Sequence, residues 1–157
     1  MGTISVRAAE DPDREAIDAL HEKVWGGPYV VGHDERFDLR TLPTLVAEDE
    51  SKRLRGALVW RTAGDALEIV SIAAVTPGEG AGTALLEAAH QKATAKIWLV
   101  TTNDNLRALR FYQRRGMRIT AVDHGAVDRA RKLKPGIPLV GQDGIEIHDE
   151  LRLERGW

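Results

Sequence analysis

TTNDNLRALRFYQRRGM, residues 101–117, is the most informative stretch of this chain. It leaves the apolar run Ile97–Thr101, read as a strand, through a polar Asn103-Asp104-Asn105 break. A helix is predicted over 105–115, ended by Gly116 at the position after the C-cap. Helical spacing sets Asn105, Ala108 and Tyr112 on one stripe, with a small residue between an amide and a phenol. That face has room for a ligand. Arg107, Arg110 and Arg114 form a second stripe, which reads first as a solvated helix face.

Upstream lies TPGEGAG, residues 76–82, between the run Ala66–Val75, read as a strand, and a helical pattern over about 82–95. The first N–H groups of a helix have no intrahelical partner and sit at the positive end of its dipole. Glycines at 78, 80 and 82 let a diphosphate approach them. The plainer reading is a tight strand-to-helix turn that needs glycine for its conformation alone. No Gly-Lys-Ser/Thr follows, so this is not a P-loop. A dinucleotide fold places its turn after the first strand and wants an acidic residue about 20 positions on, where this chain has the apolar Ile97–Val100. The same objections meet a methyl-donor fold.

Further out, Ile4–Ala8 reads as a strand and Asp11-Pro12 as the start of a helix over 11–25, stopped by Gly26-Gly27-Pro28. Tyr29–Pro43 reads as irregular or as a short helix. Thr44–Glu48, Leu54–Thr62 and Ala66–Val75 predict an antiparallel meander. Met117–Val122 reads as a strand, Ala126–Lys132 as a short helix, Pro135–Gly144 as a loop and Ile145–Leu153 as a final strand. An antiparallel front half joined to a βαβαβ rear half predicts one α/β domain over 1–157, with a mixed, mostly antiparallel sheet flanked by helices.

Composition agrees with such a domain. Of 157 residues, 43% are hydrophobic and 29% charged, which excludes disordered and fibrous classes. Net charge of −2 gives no footprint for nucleic acid or an anionic membrane. No cysteine is present, so disulfides and thiolate chemistry are excluded. Without a signal-peptide pattern in MGTISVRAAE, a cytoplasmic setting is expected. Histidines 21, 33, 90, 124 and 148 lack ligand spacing, so no metal site is expected. Trp25, Trp60, Trp98 and Trp157 stand singly and read as packing residues.

The two motifs together resemble those of the GNAT acetyltransferase superfamily: Pro77-Gly78-Glu79-Gly80-Ala81-Gly82 with Thr83-Ala84-Leu85-Leu86, then Asn105-x-x-Ala108-x-x-Phe111-Tyr112-x-x-x-Gly116-Met117. Order and spacing agree over nearly the whole chain. His124–Asp128, Lys134-Pro135 and Asp149-Glu150-Leu151 look like a bacterial branch of mostly unassigned substrate. The resemblance implies a single-domain GNAT-like fold and an acetyl-CoA-dependent N-acetyltransferase moving acetyl to a primary amine by direct transfer. Ala73 and Val75 would pair with pantetheine through their backbone. The turn Gly78, Glu79, Gly80, Ala81, Gly82 and Thr83 would hold the pyrophosphate, Asn105 would bond the pantetheine arm, and Tyr112 would sit near the thioester sulfur.

Two positions depart from the pattern: Pro77 stands where the family carries Arg or Gln, and Glu79 brings negative charge to a phosphate turn. They keep a second reading open, a non-catalytic acyl-CoA-binding sensor or partner-binding module. For catalysis, Tyr112 is the candidate acid, since a phenol (pKa about 10) and a thiol (about 8.5) can share a proton. Glu68 is the candidate base, set by strict alternation on the face of Val70 and Ile72, with Ser71 as a relay. The arginine stripe could alternatively meet the 3′-phosphate of CoA, and His33 the acceptor. The acceptor, a small-molecule or peptide amine, would be chosen by segments 26–43 and 133–144. The final strand offers an edge for a homodimer.

Overall fold

A computed structural model describes residues 2–156; Trp157 lies outside them. The apolar runs over 44–75 pair as the predicted antiparallel meander, and the segment before them adds a hairpin. In chain order the elements are β1 (Ser5–Ala8), α1 (Arg14–Trp25), β2 (Tyr29–Gly32), β3 (Glu35–Asp38), β4 (Thr44–Glu48), β5 (Leu54–Ala63), β6 (Ala66–Ala74), α2 (Ala81–Lys92), β7 (Lys96–Thr102), α3 (Leu106–Arg114), β8 (Arg118–Asp123), α4 (Ala126–Ala130) and β9 (Glu150–Gly156). Short 3-10 turns at Asp11–Asp13, Leu39–Thr41 and Gln142–Gly144 complete the chain.

Seven strands form one sheet in the order β1-β4-β5-β6-β7-β9-β8. Every pairing is antiparallel except β6 with β7. That parallel pairing covers only Ala66↔Lys96, Leu67↔Ile97 and Glu68↔Trp98. Beyond Glu68 the two strands diverge, and a wedge opens in the middle of the sheet.

A β-bulge lies at the point of divergence. Val59 pairs with Ser71 and Trp60 with Ile69, which leaves Val70 over. A bulged strand bends and twists locally, and its side-chain alternation changes phase. Leu67 and Ile69 join Leu58, Leu85, Leu86, Tyr112 and Met117 in the main core under α2 and α3, with Ile72 packed against it. Ala73 packs instead with Ala57 and Leu20 of α1, on the other face. Glu68, out of phase with Leu67 and Ile69, therefore shares the face of Ser71 and Ala73. Strict alternation put it with Ile72; the extra residue at 70 moves it across the sheet.

Two further corrections concern strands. Residues 29–43 hold the two-stranded sheet β2–β3, whose turn residues His33 and Asp34 both have positive φ, 39° and 66°. The final strand runs over Glu150–Gly156, and it is not an edge. It lies between β7 and β8, so the homodimer edge expected at 145–153 is closed; β1 and β8 are the edges. No helix of the described residues is long and apolar enough to cross a membrane.

Candidate active site

The wedge between β6 and β7 opens into a groove of about 1330 Å³ that runs from the glycine turn to the β2–β3 hairpin. Gly78 and Gly80 hold φ of 85° and 89°, left-handed values that favour glycine, and Gly80 caps α2. Ala84 is the first residue of α2 to bond back, to the Gly80 carbonyl. The N–H groups of Ala81, Gly82 and Thr83 thus stand at the helix start without intrahelical partners. Thr76, Pro77, Gly78 and Gly80–Thr83 line this end.

Glu79 does not. Its carboxylate pairs with Arg55, which also reaches the Thr76 hydroxyl at 3.2 Å. The acidic residue of the turn is thereby paired, outside the groove lining. Gly82 permits the close approach of α3, since a Cβ there would stand 3.2 Å from the Phe111 ring. Arg115 lies over that same ring at 3.9 Å and donates to the Thr83 hydroxyl at 2.8 Å. Together with exposed Arg107, Arg110 and Arg114 it gives this side of the groove positive charge.

On β6 the residues facing the groove are one step from those expected. Val75 donates its N–H to the Arg55 carbonyl at 2.8 Å, toward β5. Backbone groups alternate sides along a strand, so the N–H and C=O of Ala74 and Ile72 point to the wedge. Ile72 and Ala74 line it, whereas Ala73 and Val75 do not. The phase set by Val75 carries the correction.

On α3, Asn105 is the N-cap. Its Oδ1 accepts from the Ala108 N–H at 3.4 Å and from Gln142 Nε2 at 3.2 Å, and its Nδ2 donates to the Thr101 hydroxyl at 3.1 Å. Tyr112 lines the groove while only 6% exposed, and burial pushes its phenol well above the usual range. It therefore keeps its proton at neutral pH. Asn105, Ala108 and Tyr112 all reach the groove, as their stripe predicted.

The hairpin end is built from charge and aliphatic wall. Glu68, 2% exposed, accepts from Arg61 Nε at 2.7 Å and lies 2.7 Å from His33 Nε2. The bond to Glu68 holds the His33 imidazole above its usual value. Arg61 also binds Glu35 at 2.9 Å. Ser71, the expected relay, accepts from the Trp25 indole at 3.0 Å.

Glu150 was not foreseen. Being out of phase with Leu151 and Leu153, it reads as solvent-facing; the hairpin covers it and leaves it 5% exposed. Its Oε1 accepts the His33 backbone N–H at 2.9 Å, and burial raises its carboxyl above the usual range. Lys134 was also missed. Its ammonium donates at 2.8 Å to the carbonyls of Trp25 and of Tyr29, and burial pulls it below the usual lysine range. Both stand in segments that resemble the bacterial branch, Lys134-Pro135 and Asp149-Glu150-Leu151, but nothing in their spacing gave either a role. Among the described residues, no group of three or more His, Asp or Glu could hold a metal ion.

Comparison with known proteins follows this geometry. The model of the acetyltransferase (GNAT) family matches residues 14–117. The uncharacterized protein YxbD of Bacillus subtilis (strain 168) is 37% identical over 144 residues, 89% of this chain and 91% of YxbD. A GNAT family acetyltransferase from Elizabethkingia anophelis, solved with acetyl-CoA bound, superposes with a TM-score of 0.69 at 21% identity, covering 98% of both chains. A Bacillus subtilis acetyltransferase in complex with CoA gives 0.67 at 22%, covering 99% of both. These likenesses establish the mixed sheet flanked by helices as the fold.

Proposed function

The chain belongs to the GNAT acetyltransferase family, and from that premise we propose that it transfers an acetyl group from acetyl-CoA directly to a primary amine. The observation that carries this reading is the wedge itself. It exposes the backbone of Ile72 and Ala74 along one wall, ends at three unpartnered helix N–H groups, and has a protonated phenol on its other wall.

In this reading the turn Gly78, Gly80, Ala81, Gly82 and Thr83 holds the pyrophosphate through backbone N–H groups and the α2 dipole. Arg107, Arg110, Arg114 and Arg115 supply the cationic surroundings that a 3′-phosphate requires. Ile72 and Ala74, in place of Ala73 and Val75, form the strand-like bonds to pantetheine. Asn105 meets the arm where its amide edges the groove. Tyr112 donates to the sulfur as the C–S bond breaks, since its phenol still carries its proton at neutral pH.

Glu79 was one of two reasons to hold the non-catalytic acyl-CoA-binding module open. Its pairing with Arg55, and its place outside the groove lining, support CoA binding over that objection. The test is calorimetric titration with acetyl-CoA, CoA and S-adenosylmethionine, followed by a screen of amines for thiol release. Micromolar binding of the CoA species with amine-dependent thiol release is expected. Binding with no release to any amine would transfer the assignment to the module; no binding to either CoA species would overturn both.

A further inference from the structure

The groove is electrically lopsided. Its arginines all stand on or just after α3, whereas the hairpin end presents Glu68 and Glu150. The walls around them are aliphatic: Val30 and Val31 of the hairpin, Val127 and Ala130 of α4, and Ile137 and Ile147 of the following loop. Among the described residues that line this end, the one lysine or arginine, Lys134, is already bound to two backbone carbonyls, and Arg61 behind Glu68 is held by Glu68 and Glu35. Among the described lining residues, none at this end offers an uncommitted cation to an acceptor's carboxylate or phosphate.

The two acids differ in what they can still do. Glu68 has one oxygen on Arg61 and the other on His33. Both oxygens of Glu68 are thus occupied, and its loss would leave Arg61 and His33 without this partner. Glu150 has one backbone N–H on one oxygen and, among the described residues, no cation within salt-bridge distance. The charged groups facing it are His33 and Asp34 from the hairpin turn and Asp123 from β8, with Arg129 of α4 shared between Asp34 and Asp123.

We infer that Glu150, rather than Glu68, is the catalytic residue that receives the acceptor's ammonium and takes its proton, and that the acceptor is a primary amine on an uncharged aliphatic or aromatic body. This rests on the acetyl-transfer reading. The ammonium gives one proton to the Glu150 carboxylate, and the freed nitrogen lone pair forms the C–N bond. The C–S electron pair leaves on sulfur, which takes the Tyr112 proton. A second N–H proton returns the phenol to its neutral state, and Glu150 releases its proton to water. Acetyl-CoA and an ammonium become an amide, a thiol and a proton.

The test follows thiol release from the full chain with matched acceptors, phenethylamine against phenylalanine and isoamylamine against leucine. Wild type is compared with E150Q, E150D and E68Q. The amines should exceed the amino acids by at least ~10-fold in kcat/KM, because a carboxylate buried without a partner is unfavourable. E150Q should lose about 100-fold or more, the usual range for a general base, and lose the rise of rate with pH, while acetyl-CoA affinity stays unchanged. E150D should keep that rise at reduced kcat. E68Q should keep the pH profile.

Stability gives a readout of opposite sign. Burial raises the folded-state pKa of Glu150, so the carboxylate lowers stability as pH climbs from its unfolded value toward its folded one. E150Q should therefore melt higher than wild type at neutral pH; a carboxylate kept for structure would give a lower melting point. An E150Q enzyme with wild-type kcat/KM and pH profile, or a preference for the amino acids, overturns the inference. If wild type binds acetyl-CoA but acetylates no amine, the acetyl-transfer reading fails separately. Phenethylamine is then titrated into the CoA complex: weaker binding to E150Q supports Glu150 as the ammonium site, and equal binding overturns it.

Discussion

Tyr112 shows what burial does to a single group. Its ring sits edge-to-face with Phe111 at 5.4 Å and belongs to the main core. Its hydroxyl edge is left to the groove. Tyr112→Phe keeps the ring and removes the proton. We expect kcat to fall by about 100-fold, within the range for lost acid catalysis, with acetyl-CoA affinity measured by calorimetry changing little. An unchanged kcat would leave Tyr112 a packing residue only. Asn105 has a different dual position, at the groove and at the N-cap. Asn105→Ala should lower stability by about 1 kcal/mol in urea unfolding, the usual cost of a lost cap, and Asn105→Asp should retain most of it.

At the scale of elements, what the sequence revealed followed local physics. The 3.6 period of Asn105, Ala108 and Tyr112, the left-handed glycines 78 and 80 and the stop at Gly116 are each set by a few adjacent residues, and each was legible. The hairpin was hidden because a two-residue turn with positive φ at both positions normally advertises itself with Asn-Gly. Here His33 and Asp34 occupy it. Their side chains are tied elsewhere, His33 to Glu68 and Asp34 to Arg129, and those tertiary bonds hold a conformation the residues would not choose alone. The bulge at Val70 was hidden for the same reason, since only the pairing of β5 with β6 reveals the extra residue. One unseen residue was enough to put Glu68 on the wrong face. The phase of the β6 backbone was likewise invisible: Ile72 and Ala74 line the groove, and the expected Ala73 and Val75 do not.

Across the whole molecule the hairpin is fastened by charge: His33 to Glu68, Asp34 to Arg129, Glu35 to Arg61. Each exposed pair is weak in isolation, but three act on one short ribbon. The His33 imidazole has a raised folded-state value, so its contribution is complete below about pH 6.5 and is lost as pH rises through the folded pKa. Melting curves of His33→Gln against wild type should show the largest deficit near pH 5.5 and a shrinking one toward pH 8.5. A deficit constant across that range would mean that the ring contributes only its contacts with Phe37 and Trp98. Salt should narrow the difference at every pH.

The seat of β9 between β7 and β8 also has a consequence for biosynthesis. Both neighbours leave the ribosome before the strand that joins them. A chain free to fold only as far as residue 149 already has β1, β4, β5, β6 and the short parallel pairing to β7. It also has two raw edges, Lys96–Thr102 and Arg118–Asp123, with nothing to bridge them. Such a chain is a natural client for chaperones and an easy target for proteases. Release of seven more residues closes the sheet and, in the same event, delivers Glu150 beneath the hairpin. Limited proteolysis of chains truncated after residue 149 and after residue 156 should therefore find the protected sheet, and acceptor binding, only in the longer one.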